Sequence, residues 1–403
     1  MSTPLRAAIV GARHPHLFRR VELLSRHPQV TLLGFHEPDA EIADELSRRT
    51  GLPALDTADL AGLDLAVIEG LDPQLPDLAD LALRAGARGV LLEKPGAHQP
   101  AAFYELAARL EAAGTAVELG YQLHYTDAAG WCREIVRARM LGQITASRFH
   151  GGVPVGAGAE LWQSIPEDLG GLVYTSGCHL LEWVYDLFGL PEQVSASVRR
   201  LPAGEPVPVL VYKPDLFSGP IDTDVRIGDL LHEDVGSALL EYPGQTVTVD
   251  FTAWEPTTWC AQWWVELYGT NGSVVAVPHP SELRLTLREP RGRFPAGETV
   301  LRSDELPEGA GMADAYTRQL DALIARVLGN QPSSPPRIVR GESAGNPPAN
   351  TPETVPGGSA TRSPDSCGLD HGVGVMKMLD AIYDSSRRRA WATVAPSTEG
   401  RQG

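Results

Sequence analysis

Cysteine is scarce: four in 403 residues (Cys132, Cys178, Cys260 and Cys367), with no CxxC pair among them. That excludes a disulfide-built scaffold and suits a reducing cytoplasm. The same spacing offers no paired metal-ligand motif, and no metal centre is expected. Nowhere do about 18 apolar residues run uninterrupted, so no membrane span is expected. The N-terminus lacks a charged stretch leading into a long apolar one, so no signal peptide is expected either. Basic residues are in deficit, 34 Lys and Arg against 51 Asp and Glu, a formal charge of −17. Nucleic-acid binding rests on clustered cations, and an anionic membrane surface would repel this chain. What remains is ordinary globular composition, 43% hydrophobic and 21% charged, with length for two domains that each bury a core.

The first third alternates short aliphatic runs with helical patterns. Strands are read at 5–10, 30–35, 65–68, 89–92 and 116–119, and helices at 40–49, 75–85 and 98–113. A further helix starts near Pro15, with Leu17, Val21 and Leu24 on one face. Parallel neighbours need crossovers, so this alternation predicts a doubly wound, Rossmann-type α/β domain. After a helix at 128–140 the period falls towards two, with strands at 145–150, 193–201, 237–242, 246–254, 263–268 and 282–288. Turns at Tyr242-Pro243-Gly244 and Thr270-Asn271-Gly272 separate some of them. The second domain is therefore read as α+β with a large, mainly antiparallel sheet, interrupted by a helix at 177–188. Residues 330–368 hold eight Pro among Ser, Gly, Asn and Thr, the composition of a flexible insertion between helices at 314–328 and 373–387. The expected division is 1–122, 123–329, the insertion 330–368, and a C-terminal helix and tail at 369–403.

Three signals carry chemistry. The turn after the first strand reads Gly11-Ala12-Arg13-His14-Pro15-His16, keeping only the first Gly of a dinucleotide-binding Gly-x-Gly-x-x-Gly. Arg13 and the helix start would hold an anionic phosphate there, with His14 and His16 beside it. An ordinary strand-to-helix turn with exposed bases fits that stretch equally well. Glu37 lies about 25 residues past Gly11, near the spacing at which an acid accepts ribose hydroxyls. A carboxylate there favours NAD; Arg13 or His36 would instead serve the extra phosphate of NADP. Finally, the strand at 89–92 runs into Glu93-Lys94-Pro95, which sets a Lys at the ligand-binding edge of a parallel sheet, extended by the following Pro.

Glu93-Lys94-Pro95 after a Rossmann-like half resembles the signature of the glucose–fructose oxidoreductase/inositol dehydrogenase group (Gfo/Idh/MocA). Further landmarks follow in that family's order. Gly120-Tyr121-Gln122-Leu123-His124-Tyr125 is similar to the strand leaving the nucleotide domain, with His124 where many members have Arg. Leu141-Gly142-Gln143-Ile144 resembles the turn opening the second domain. The segment from Gly170-Gly171 to Glu182 resembles the family's Gly-Gly…Asp-x-Gly-x-His-x-x-Asp, with His179 on the catalytic His. Thr175 stands in place of the usual Asp, and Glu182 in place of the later one.

The resemblance implies an NAD(P)-dependent oxidoreductase acting on a sugar, cyclic polyol or related hydroxy or keto compound. His179 would be the acid/base and Lys94 the group polarising the oxygen. Glu182, one helical turn on, would orient the imidazole in the absence of an ionisable group at Thr175, or would equally be a solvated or salt-bridged acid. Tyr174 is a second candidate proton donor. The cofactor would rest on Gly11, Arg13, His14, His16, Glu37, Glu93 and Lys94, and the substrate on His124, Trp162 and Gln163. The family's sheet implies a homodimer or homotetramer, to which Trp254, Trp259, Trp263 and Trp264 would contribute unless they pack inward. Two other readings stand beside this one. One is a net non-redox enzyme, an epimerase or lyase using bound NAD; the other is a non-catalytic nucleotide- or ligand-sensing protein, which the missing glycines and Thr175 favour.

Overall fold

The computed structural model of the chain describes residues 3–14, 16–154, 171–207, 225–226, 233–255, 263–303, 310–329 and 366–394. Five short aliphatic strands form a parallel sheet: β1 (Leu5–Ala12), β2 (Val30–His36), β3 (Leu65–Glu69), β4 (Gly89–Leu92) and β5 (Ala116–Leu119), in the order 2-1-3-4-5. A single parallel bridge from Phe35 to Ala54 starts a further strand outside β2. Counting it, the order becomes 3-2-1-4-5-6, that of a dinucleotide-binding sheet.

Side chains alternate across such a strand, and β1 shows it. Ala7 and Ile9 pack into one core with Leu17 and Leu24 of α1 (Leu17–Arg26) and Leu46 of α2 (Ala40–Thr50). Ala8 and Val10 enter the other with Leu75 and Ala79 of α3 (Leu75–Ala85) and Phe103 of α4 (Pro100–Ala112). Chain order reverses between β1 and β3, which opens a crevice at their C-terminal ends. Pro15, read as the helix start, lies outside the described residues.

After a 3₁₀ turn (Gln122–Tyr125) and α5 (Asp127–Arg137), the chain enters a nine-stranded sheet. Its strands are β6 (Ile144–Pro154), β7 (Gln193–Arg199), β10 (Val235–Tyr242), β11 (Gln245–Glu255), β12 (Trp264–Gly269), β13 (Gly272–Val277), β14 (Glu282–Leu287), β15 (Gly297–Arg302) and β16 (Ala392–Thr393). A small separate pair, β8 (Pro206–Val207) and β9 (Val225–Arg226), lies between β7 and β10 in the chain. The large sheet runs 15-14-13-12-6-11-10-7-16. Only β6 and β11 pair in parallel, so the sheet is mainly antiparallel. The hairpin from β10 to β11 closes through Pro243-Gly244, with Gly244 at φ +83°. Strands β13 and β15 were not anticipated; β13 is the return strand of the Thr270-Asn271 turn, where an apolar run of four residues is too short to show its period.

Short helices α6 (Leu172–Thr175) and α7 (Cys178–Phe188) and the longer α9 (Leu369–Arg388) pack with this sheet; Ser385 and Ser386 of α9 accept the β7 amides of Ala196 and Val198 at 2.9 and 2.8 Å. Helix α8 (Ala310–Val327) departs from the expected division. Leu320, Leu323 and Ile324 fill the core under β1 and β3, so a helix counted with the second domain closes the first. Residues 366–368, counted with the insertion, also belong to the fold: Cys367 is fully buried and its carbonyl accepts the amide of Leu119 at 2.8 Å. The rest of 330–368 lies outside the described residues. Among the described residues no helix is long and apolar enough to cross a membrane.

Candidate active site

The C-terminal edge of the parallel sheet gathers most of the buried charge. At the end of β1, Gly11 sits at φ +74°, and a Cβ there would come within 2.5 Å of Leu78 Cδ1 and 3.0 Å of Gly70 Cα. Only glycine fits, because the turn presses on the loop after β3. The Arg13 and His14 amides both donate to the Glu69 carbonyl at 2.8 Å. Glu37 reaches this turn from β2: it accepts the Ala12 amide at 3.1 Å, the Asp39 amide at 3.2 Å and Arg13 Nε at 3.4 Å. Arg13 Nη2 meets Asp39 at 3.0 Å. The structure thus brings Gly11, Arg13 and Glu37 together as the spacing predicts, but Arg13 is held between two carboxylates instead of presenting a free cation.

Deeper in, five ionisable side chains interlock. Arg20 of α1 donates through Nε to Glu69 at 3.0 Å and through Nη2 to Glu93 at 3.1 Å. Its guanidinium lies 4.9 Å from the centroid of the Tyr316 ring. His16 Nδ1 is 3.0 Å from Glu93, and His14 Nδ1 is 3.3 Å from Glu69. Burial, with the Glu93 charge beside it, holds the Glu69 carboxyl well above the usual carboxylate range. Burial also keeps both imidazoles below their ordinary value. His14 and His16, expected to line a phosphate turn, are therefore neutral members of an internal cluster. Arg20 and Glu69 escaped the sequence reading; Arg20 follows His16 by one helical turn, which was the available signal.

Next comes Lys94, 4% exposed, reached through a cis Lys94–Pro95 bond. Its Nζ donates to the Thr175 carbonyl at 2.8 Å. Thr175 ends α6, so its carbonyl is not consumed by the helix, and Cys178 Sγ donates to it as well at 3.2 Å. His179 stands in the first turn of α7, 1% exposed, edge-on to Tyr121 and Trp263 with ring centroids at 5.6 and 6.1 Å. Burial first, and then the Lys94 cation, hold its pKa well below the ordinary imidazole value. At neutral pH it is an uncharged base.

Besides the Tyr121 hydroxyl, two buried polar side chains at this edge have no hydrogen-bond partner among the described residues. One is Asp72, in the loop after β3, both of whose oxygens are orphaned; burial pushes its carboxyl up to about 8 against the pull of Lys94. The other is Gln122, just past β5, whose amide oxygen and nitrogen are both unsatisfied. Such groups are costly unless a ligand completes them. Sequence reading missed both; the Asp-Pro step after a strand at the ligand-binding edge was the signal for Asp72.

Other expectations are corrected. Glu182 does not orient His179 by hydrogen bond: its Oε1 lies 2.8 Å from the Nδ1 atoms of both His124 and His371. His124, expected on the substrate side, is 1% exposed inside that second cluster, which Cys367 also joins. The Tyr174 hydroxyl donates to the Ala97 carbonyl at 3.2 Å, and burial pushes its phenol far up, so it is no ready proton donor. Trp263 is core, its Nε1 donating to Gly152, whereas Trp264 stacks on His150 at a half-buried position. Trp162, Gln163, Trp259 and Cys260 lie outside the described residues.

Comparison with known proteins bears on this arrangement. Residues 131–275 match the family model of the GFO/IDH/MocA C-terminal domain. No curated protein matches the sequence. Solved structures match over nearly the whole chain. An NAD-binding oxidoreductase from Klebsiella pneumoniae superposes with TM-score 0.72 at 16% identity, over 98% of this chain and 100% of that one. A levoglucosan dehydrogenase in complex with NADH and L-sorbose gives 0.70 at 15%, over 98% and 100%. The aldose–aldose oxidoreductase of Caulobacter crescentus, complexed with glycerol, gives 0.68 at 18%, over 97% and 99%. At these identities the likeness is one of fold: a Rossmann-type domain followed by a large, mostly antiparallel sheet.

Proposed function

We propose that the protein is an NAD-dependent oxidoreductase acting on a sugar, a cyclic polyol or a related hydroxy or keto compound. The observation that carries this reading is the pairing of Lys94 with the Thr175–His179 turn. One hydrogen bond fixes the ammonium to the segment bearing the neutral imidazole, and the ammonium's charge is felt by that imidazole. Fold neighbours support the same conclusion: one is named as NAD-binding, one is a levoglucosan dehydrogenase in complex with NADH, and one is an aldose–aldose oxidoreductase.

The residues at the edge fit a dinucleotide. Asp72 and Gln122 are orphaned polar groups suited to hydroxyls and an amide, and Glu37 closes the far end of the crevice. Gly11, Arg13, Glu37, Glu93 and Lys94 would hold the cofactor, with His14 and His16 lining its turn from within. Arg13 is already neutralised by Glu37 and Asp39, which favours NAD over NADP. A bound nicotinamide supplies the two-electron acceptor for the substrate C–H bond. His179 takes the hydroxyl proton on a ring nitrogen, a task its neutral state suits. Lys94 Nζ shares its protons between the Thr175 carbonyl and the substrate oxygen and steadies the developing alkoxide. Thr175 acts through its backbone, so losing an ionisable side chain there leaves Lys94 positioned. Burial of the pair excludes water from the proton transfer. The half-buried outer face of the large sheet, with Tyr268 and Val275 exposed, is where a homodimer or homotetramer would form.

The test is a titration of the full chain with NADH and NADPH followed by nicotinamide fluorescence, then turnover on a panel of aldoses and cyclic polyols. His179→Ala and Lys94→Ala should each lower kcat by about 10²–10⁴-fold, His179→Ala with little change in NADH affinity. Silence with both nucleotides would instead support the sensing reading, and product formation without net redox change the epimerase or lyase reading.

A further inference from the structure

We infer that His124, Glu182, Cys367 and His371 form a closed zinc site, separate from the nicotinamide edge. The four side chains come from the 3₁₀ turn after β5, from α7, from the segment 366–368 and from α9, and each is at most 2% exposed. One ligand atom from each lies within 4.8 Å of the other three, close enough for a single ion to gather them. Two imidazole nitrogens, a thiol sulfur and a carboxylate oxygen are the donor mixture that borderline-soft divalent zinc takes in tetrahedral sites. Magnesium and calcium, which want oxygen alone, are poorly served.

The crowding is specific. Both histidines present Nδ1 at 2.8 Å from the same oxygen, Glu182 Oε1, and Cys367 Sγ reaches that oxygen at 3.6 Å. Three donors on one carboxylate oxygen is the arrangement an ion in their midst would relieve, each group then turning a lone pair inward. Charge also balances. The two positive charges of zinc meet one thiolate and one carboxylate, the thiol proton leaving to solvent, with both imidazoles neutral. Arg133 borders the site, its Nη1 3.4 Å from both ring nitrogens of His124, and its charge is matched by Asp186 at 2.8 Å, so the buried region stays neutral with the ion bound.

A supporting shell is present. Arg133 Nη2 holds the His124 carbonyl at 2.9 Å, and the Cys367 amide donates to Glu118 and to the Tyr125 hydroxyl. Such outer contacts fix ligand orientation. All four ligands are buried, with no side open to solvent, so the site is structural. It would fasten residues 366–368, and the start of α9, onto α7 one turn beyond His179. The other cluster of histidines and carboxylates, His14, His16, Glu69 and Glu93, carries no such inference, because the Arg20 guanidinium already occupies it.

The experiment uses full-length protein purified without chelator, its metal content measured by plasma mass spectrometry, and then cobalt(II) added to metal-depleted protein. Expected are about one zinc per chain and, with cobalt, the intense visible bands of a tetrahedral site with a thiolate-to-metal charge-transfer band. Cys367→Ser should abolish the charge-transfer band, and His371→Gln should lower stoichiometric retention at least tenfold. Cys132→Ser, a buried thiol elsewhere, should change neither. Absence of zinc and of cobalt binding overturns the proposal, and so does a charge-transfer band that survives in Cys367→Ser. Circular dichroism on each variant separates lost binding from lost folding. If Cys367→Ser unfolds, the cobalt spectrum of the unaltered protein decides alone: without thiolate charge transfer the site does not exist.

Discussion

Replacing Arg20 by Met removes one cation from between two buried carboxyls while keeping most of the side chain's apolar stem. Arg20 is 1% exposed, Glu69 and Glu93 are fully buried, and the guanidinium bonds both at 3.0 and 3.1 Å. Breaking a buried ion pair by deleting one partner costs about 3–5 kcal/mol, because the remaining charge is left uncompensated. The seat of the guanidinium over Tyr316 adds about 0.5–1 kcal/mol. Burial already disfavours the charged form of Glu69, so one stranded carboxylate, Glu93, dominates, and a loss of about 3–4 kcal/mol is expected. The sign of the pH dependence follows. A stranded buried carboxyl has a folded pKa above its unfolded one, so the folded variant binds more protons and loses stability as pH rises. The deficit should therefore be larger at about pH 8 than at about pH 5. Adding Glu93→Gln should recover most of it, since the amide is neutral. Urea unfolding of nucleotide-free protein, followed by tryptophan fluorescence and by circular dichroism, measures the difference where the two probes coincide. A deficit below about 0.5 kcal/mol, or one that neither pH nor Glu93→Gln alters, would refute the reasoning.

Asp72→Asn removes a carboxyl that burial raises from 3.8 to about 8. The wild type should lose several kcal/mol of stability between those two values as pH rises, and the Asn variant should show a flatter profile in the same urea assay. Because His179 is held well below the ordinary imidazole value, the acid limb of kcat/KM should fall below about pH 6.5; a limb above that would assign the base elsewhere. Exchanging residues 333–363 for a short Gly/Ser linker should leave Tm nearly unchanged, since closure entropy grows only logarithmically with loop length, and a large drop would mean that the segment packs on the fold.

The parallel sheet was legible because each of its strands is an aliphatic run bounded by turn residues and separated by a helix-length pattern. Its five strand positions come within about two residues of the observed ends. Alternation likewise announced β10 and β11. What escaped was set by tertiary contact. Helix α8 shows a face but not a destination, and nothing in residues 314–328 says that Leu320, Leu323 and Ile324 lie under β1. The site divides in the same way. Lys94, Glu37 and Gly11 could be placed because the edge of a parallel sheet is a position in sequence, namely the end of each strand. Partners of His124 and Glu182 could not, because they come from residues 367 and 371, on the far side of the Pro-rich stretch. Asp72 carried a local signal, but a carboxyl's ionisation depends on what surrounds it.

Thr175 shows how a substituted position changes meaning once the backbone is known. Read as a side chain, it is a lost acid beside His179, and it weakens the case for catalysis. Its hydroxyl turns back to the Gly171 carbonyl at 3.3 Å, and its own carbonyl receives Lys94 Nζ at 2.8 Å. The contact that orients the ammonium is therefore one that any residue could make, provided α6 ends there. The α6–α7 junction is fixed by Gly177, where a Cβ would come within 2.6 Å of the Val173 carbonyl oxygen. Glycine at 177, more than the residue type at 175, is thus what the geometry of Lys94 requires. Backbone path and burial then set the Lys94–His179 pair, and a side-chain motif only partly records them.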